Sequence, residues 1–471
     1  MAHCLPMSTR HPSAARPAHP ARRRTPVLAI ALTAVLVGLA ACGGNGPTPA
    51  PSASASAAPA TPAATDAPAS EQPTSAASVC DDTVVGGPAA TLDPAGVTAA
   101  TYDNIEQQVE ALRGISPTAP VARGVFDKPG LCAYLRTSFR EDNPETLVAS
   151  TERLFKELLL IPEDASLEQL YLELLTSQVA GLYDDTSKHM YVVSSTGELG
   201  PADEITYAHE FTHALQDQKF VLKGIVGDAT DQGDRTMARS ALVEGDATLL
   251  MTLWAQGHLT PDQLGQVAGA ADPAAAAILE RMPAILKDPL LFPYTSGLTV
   301  ALGAFQASGG FAGVDALYAN PPDSTEQVLH ADKLAAREAP VGVAFPDDLA
   351  ARLGDGWAVE QQDTMGELML EIVLREGGAT ATRDAAAGWG GDRIALITGP
   401  SGETAVVLDT AWDTEADAAE YATALAQTVA KLNAAGKSAA LLQPEPSRVV
   451  LVVGETADTM GRVANVLGLA G

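Results

Sequence analysis

Two imidazoles and a carboxylate stand together at His209-Glu210-Phe211-Thr212-His213. On an α-helix, residues four apart lie one above the other on the same face, so each histidine can offer a ring nitrogen to one cation. Glu210 follows His209 directly and can reach a water at that cation without taking a ligand position. The set suits zinc, which acidifies a water and polarises a carbonyl. Glu210 would accept the water's proton and pass it to a leaving amine. The chemistry implied is hydrolysis of a peptide or amide. The plainer alternative is a helix face with two solvated histidines.

A hydrolytic zinc site needs a third protein ligand and an open fourth position. A glycine three residues after His213 and a histidine six after it would mark one known pattern; Gln216 and Lys219 stand there instead. Asp228, Asp231 and Asp234 fall in a polar connector. The better candidate is Glu244, in Ala241-Leu242-Val243-Glu244-Gly245-Asp246-Ala247 with Leu249 and Leu250 just beyond. A carboxylate in such apolar company is costly unless it is paired or binds a metal. Glu244 could instead face solvent on an amphipathic helix. With Glu244 as ligand, the expectation is one Zn²⁺ per chain.

The elements that must position these residues can be read from periodicity and punctuation. Pro201 and Asp203 mark the start of a helix running to about Gln218, and a second long helix covers Asp231 to Gln256. Helical patterns precede them at Tyr102–Arg113, Leu131–Phe139, Pro144–Leu160 and Ser166–Gln178. Gly181 is punctuation, Tyr183 to Ser187 has turn composition, and Met190–Val193 is a short β-prone run. Pro283 to Leu302 is expected to break and restart around Phe292-Pro293-Tyr294. Thr364 to Arg375 is a further helix. Beyond residue 380 the texture changes: Arg393–Thr398 and Thr404–Asp409 alternate as strands around a Gly399–Gly402 turn. A helix (Glu415–Leu432), a strand (Arg448–Val453) and a terminal helix (Asp458–Leu467) follow. Trp389-Gly390-Gly391-Asp392-Arg393 reads as a tight turn beside a buried indole, and His189 and His258 as surface residues. The fold class is α+β, mainly helical, with a small C-terminal α+β domain built on an antiparallel sheet.

His209-Glu210-x-x-His213 followed by a helical Glu244 resembles the gluzincin branch of zinc metallopeptidases. Four segments narrow the likeness to exported bacterial proteins of the peptidase MA-like superfamily. They are His209–Gln218, Leu242–Ala247, Phe292-Pro293-Tyr294-x-x-Gly297 and Pro322-x-Ser324-Thr325-Glu326-Gln327-x-x-His330, within roughly residues 100 to 340. The resemblance implies a helix-rich, zincin-like catalytic domain with a small edge sheet lining a cleft. Met190–Val193 would be the strand that an extended peptide pairs with. Tyr294 and His330 become candidates for stabilising the oxyanion, since gluzincin-like enzymes take a tyrosine or histidine from downstream elements. Tyr294 could equally be a packed aromatic, and His330 a helix cap. One departure matters: where gluzincins often have an aspartate four residues after the glutamate ligand, this chain has Thr248. Asp246 is expected to point elsewhere, and Asp217, four residues after His213, is the expected substitute supporting the histidines.

The N-terminus reads as an export signal. Arg22-Arg23-Arg24 precede an apolar run from Val27 to Ala41, too short to span a bilayer comfortably. Leu39-Ala40-Ala41-Cys42 resembles the lipobox of bacterial lipoproteins, in which Cys42 would carry diacylglycerol; plain secretion is the alternative. Residues 42–79, rich in Pro, Ala, Ser and Thr, cannot bury enough apolar surface to order themselves and read as a tether. Of the four cysteines, Cys80 and Cys132 would remain for a disulfide in an oxidising compartment.

The resulting division is a signal at 1–41, a tether at 42–79, a catalytic domain at 80–380 and a small domain at 381–471. The chain has 58 acidic and 29 basic residues. Loss of the first 41 residues, with five arginines and no acids, takes the formal charge from −29 to −34. Such a surface repels phosphate backbones, which excludes nucleic acid as the natural partner. The expected partners are a peptide or protein substrate and, through the lipid, the extracytoplasmic face of a cell membrane. The competing function is a non-catalytic envelope lipoprotein that uses the same scaffold for binding.

Overall fold

The computed structural model describes residues 28–32, 91–92, 97–194, 199–227 and 229–469. Cys42, Cys80, the tether and Asp228 lie outside them. Helices dominate, and two antiparallel or mixed sheets complete an α+β fold.

The first sheet has the order β1 (Leu28–Leu32), β4 (Val179–Asp184), β5 (His189–Val193), β3 (Ala122–Phe126), β2 (Thr91–Leu92). Pairing is antiparallel except for β3 with β5, which run parallel. The β-prone run at Met190–Val193 is therefore not an edge: β5 lies between β3 and β4. The outermost strands are β1 and β2; β4 lies between β1 and β5, with Ala31 opposite Gly181. The turn composition at Tyr183–Ser187 is the hairpin between β4 and β5, where the carboxylate of Asp184 accepts from the amides of Thr186 and Ser187.

Five helices of this part bear on the site. α1 (Val97–Arg113) and α2 (Pro201–Phe220) pack together, and α2 lies across β4 and β5. α2 starts as its sequence dictates, with Pro201 in the first turn and the Asp203 carboxylate accepting from the Gly200 amide at 2.8 Å. α3 (Gly233–His258) and α4 (Ala284–Ser308) make the most extensive helix pair. α4 does not break at Phe292-Pro293-Tyr294. It continues through Pro289 and Pro293, losing two amide donors while packing along α3 holds the helix together. α5 (Phe311–Ala319) folds back onto α4. Cys132 is buried and disulfide-bonded; Cys80, its expected partner, lies outside the described residues.

The second sheet is wholly antiparallel, in the order β6 (Ala358–Asp363), β7 (Trp389–Thr398), β8 (Thr404–Trp412), β10 (Arg448–Gly454), β9 (Ser438–Glu445). Alternate residues serve opposite faces. Ile394, Leu396, Val406, Leu408 and Leu451 meet α6 (Gly366–Glu376), α7 (Glu415–Ala434) and the helical part. Ala395, Ile397, Val407 and Val452 meet α8 (Ala457–Val466) and Leu349. Because β6 and α6 join this sheet and its core, the unit begins well before residue 381. Trp389-Gly390-Gly391 is not a turn but the irregular start of β7, with the indole donating to Asp392 at 3.0 Å.

Candidate metal centre

Every residue of α2 from Ile205 to Asp217 is buried, so each polar side chain in that stretch needs a partner. His209 and His213 find one another and Glu244. The ring nitrogens His209 Nε2 and His213 Nε2 are 2.9 Å apart, and Glu244 Oε2 lies 3.1 Å from the first and 3.3 Å from the second. A tetrahedral zinc with bonds of about 2.0–2.1 Å separates its ligand atoms by about 3.3 Å. Three donors of the right chemistry thus already stand at close to the spacing of three corners of a zinc tetrahedron.

The electrostatics fit the same centre. Burial works against charge on Glu244, yet His213 and His209 beside it hold its carboxyl down to about 2. Burial likewise opposes a charge on His213, but Glu244 and Glu210 carry it up to about 9. His209, equally buried and next to His213, falls below its ordinary value. The trio is therefore a place where one carboxylate needs a positive charge, and a divalent cation answers that need.

Tight helix packing brings Glu244 to α2. A Cβ on Gly245 would sit 2.1 Å from Gly297 O, and one on Gly297 the same distance from Ala241 O. α3 and α4 therefore touch backbone to backbone at this crossing, and no larger residue fits there. Glu244 is adjacent to Gly245, and Tyr294 is one turn before Gly297. The crossing delivers both to the histidines: the ring of Tyr294 lies 6.0 Å from that of His209, with the planes 27° apart. Glu210 is fully buried, and a Cβ on Gly181 of β4 would come within 3.0 Å of its Cγ and 2.6 Å of Thr206 Cγ2. β4 thus packs directly against the side chain of Glu210.

Other expected site residues are elsewhere. His330 bonds Glu367 Oε1 at 2.8 Å, on the side of the molecule where α6 begins, and not the histidine pair. Asp217 does not support a histidine; it accepts from Tyr183 Oη at 2.9 Å and from Lys188. The support on His213 is Gln216, whose Oε1 is 2.8 Å from Nδ1. Three residues on from His213, Gln216 shares its face as well as Asp217 does, but in the sequence it served only to exclude another pattern. Asp246 touches neither imidazole, as expected, but bonds Gln216 at 2.9 Å. Asp231 pairs with Arg393, and Asp234 accepts from Thr325, so neither is a ligand. A second acidic group, Glu326, Glu338 and Asp413, closes around the ammonium of Lys333, which supplies its countercharge.

Comparison with known proteins reaches only the other part of the chain. A family model described as a domain of unknown function (DUF8575) matches residues 352–464. This span begins just before β6 and ends in α8, so it coincides with the second sheet and its helices rather than with His209, His213 and Glu244. No curated protein and no solved structure matches the chain.

Proposed function

We propose that the chain is a zinc-dependent peptidase, carried by a lipid on Cys42 at the extracytoplasmic face of a cell membrane. The observation that carries the reading is the convergence of His209, His213 and Glu244, with 2.9–3.3 Å between ligand atoms, beside the buried Glu210. Those three would hold one zinc ion and leave a fourth position open. When bound, zinc acidifies a water and polarises a peptide carbonyl. Glu210 takes the proton from that water and returns it to the leaving amine. Tyr294, whose ring lies 6.0 Å from that of His209, would donate its hydroxyl to the developing oxyanion. His330, bonded to Glu367, has no part in this scheme.

The substrate would be an extended peptide laid along β4. What supports this is that β4 already takes an apolar strand, Leu28–Leu32, in antiparallel register, with Gly181 against the helix at Glu210. On the export reading, signal cleavage before Cys42 removes that strand and frees the edge.

The test is hydrolysis of a peptide library by the purified chain and by Glu210→Gln, each with a chelator and after zinc is restored. Cleavage that needs both zinc and Glu210 supports the proposal. Cleavage untouched by Glu210→Gln, or none on any peptide, leaves the binding lipoprotein as the better account.

A further inference from the structure

We propose that Gln216 is a positioning residue that fixes which nitrogen of His213 faces the cation, and that Asp246, Arg113 and Tyr318 exist to orient Gln216. The inference deepens the zinc reading and rests on it for its functional half. Its structural half stands alone.

A neutral imidazole has one N–H donor and one acceptor, and a metal takes the acceptor. Nothing in an isolated histidine decides which nitrogen that is. Here the neighbour decides. The amide of Gln216 can be placed in two ways, and its surroundings permit one. Its far side faces two acceptors, the carbonyl of Val243 at 3.0 Å and Asp246 Oδ2 at 2.9 Å. Only an NH₂ can meet both, so Oε1 must turn to His213. An oxygen there, 2.8 Å from Nδ1, requires a proton on Nδ1. Nε2 is therefore the nitrogen that would give up its proton and offer a lone pair to a cation, and it faces His209 Nε2 and Glu244 Oε2.

Asp246 is itself clamped from two other helices. Arg113, at the last turn of α1, donates through Nη2 at 2.9 Å and Nε at 3.3 Å, and both side chains are fully buried. Tyr318 on α5 donates to the same oxygen at 3.0 Å. The guanidinium also bonds Asp315 at 2.7 Å and lies 4.6 Å from the Phe311 ring centre. A buried carboxylate that accepts from three side chains cannot rotate away from Gln216 without leaving donors unmet. The path Arg113–Asp246–Gln216–His213 thus joins α1 and α3 to the face of α2 that carries the histidines, with Tyr318 of α5 bonded to Asp246. It does for His213 what an aspartate four residues past the glutamate ligand would do in a gluzincin; that position is Thr248 here.

Two readouts on the full chain, labelled with ¹⁵N-histidine, test this. In zinc-free protein the Nδ1 proton of His213 is expected as a slowly exchanging downfield resonance. Gln216→Leu, which removes the acceptor, should abolish it, and Gln216→Glu, which keeps an oxygen facing Nδ1, should retain it. In chelator competition, Gln216→Leu should weaken zinc binding about 10- to 100-fold. If Gln216→Leu fails to fold, Tyr318→Phe replaces it, with faster exchange of the same proton as the expected result. The proposal is overturned if the wild-type resonance is missing or is indifferent to these substitutions, or if Gln216→Leu binds zinc within twofold of wild type. A wild-type chain that binds no zinc at all defeats the metal-centre reading, while the proton readout still decides the role of Gln216.

Discussion

Replacing Gly297 with alanine should damage the metal centre from a residue that touches no ligand. The new Cβ would stand 2.1 Å from Ala241 O, whereas ordinary contact begins at 3.4 Å, so α3 and α4 must separate locally by about 1.3 Å. The obstacle is backbone in the middle of a buried helix, which cannot swing aside as a side chain would. Overpacking of this kind costs about 1–3 kcal/mol of stability. Glu244 moves with α3, and a metal site tolerates only about 0.2 Å of error in its ligand distances. Zinc affinity should therefore fall by roughly tenfold or more, beyond what a uniform loss of stability explains. Gly303→Ala provides the control. It lies in the same helix, with nothing within 4 Å of its Cβ position, so alanine there should be neutral or stabilising by up to about 1 kcal/mol. Urea denaturation and chelator competition on the two variants measure both effects. Equal stability and equal zinc affinity in Gly297→Ala and Gly303→Ala would refute the claim that the glycine crossing positions Glu244.

Two further outcomes follow from the same coordinates. Val221, an exposed β-branched residue at the end of α2, has φ +59°, where a side chain is strained by about 1–2 kcal/mol. Val221→Gly should raise the urea midpoint, for a net gain of about 0.5–1 kcal/mol after the extra chain entropy of glycine. Burial pushes Asp234 up to about 8, and burial also raises Asp363 and Asp392 to about 6. The folded chain then holds protons that the unfolded chain has released, so stability should fall as pH rises from about 4 towards 8. Asp234→Asn, which keeps an acceptor for Thr325, should flatten the upper part of that decline; an unchanged slope between pH 6 and 8 would show that Asp234 does not titrate there.

Local chemistry made part of this architecture legible. The imidazoles at helical spacing and the carboxylate within Leu242–Leu250 declared themselves because their positions follow from one helix geometry and one desolvation cost. The strands β7 and β8 were legible for a similar reason, alternation on either side of Gly399 to Gly402, and β10 by its continuous apolar run from Val449 to Val453. β9 was not, since Ser438-Ala439-Ala440-Leu441-Leu442 has no alternation, and only pairing with β10 makes it a strand. β3 and β4 are short and interrupted by Gly124 and Gly181, so composition reads them as connectors. Gly181 is there because α2 passes within contact of it, a fact that belongs to tertiary structure. The exchange of Gln216 for Asp217 has the same origin. Both lie within reach of a turn from His213, and the choice depends on where Asp246, Arg113 and Tyr183 stand, which are distant in sequence.

The central claim is that His209, His213 and Glu244 together grip one zinc ion. Zinc content by mass spectrometry, with zinc-edge X-ray absorption on the same sample, tests it most directly in the wild-type chain and in His213→Ala and Glu244→Ala. One zinc per chain is predicted for the wild type, with two imidazole nitrogens and a carboxylate oxygen at about 2.0–2.2 Å. Each substitution should lower the affinity enough that a modest chelator strips the metal. Zinc retained at full stoichiometry by either variant, or bound through sulfur in the wild type, would contradict the account.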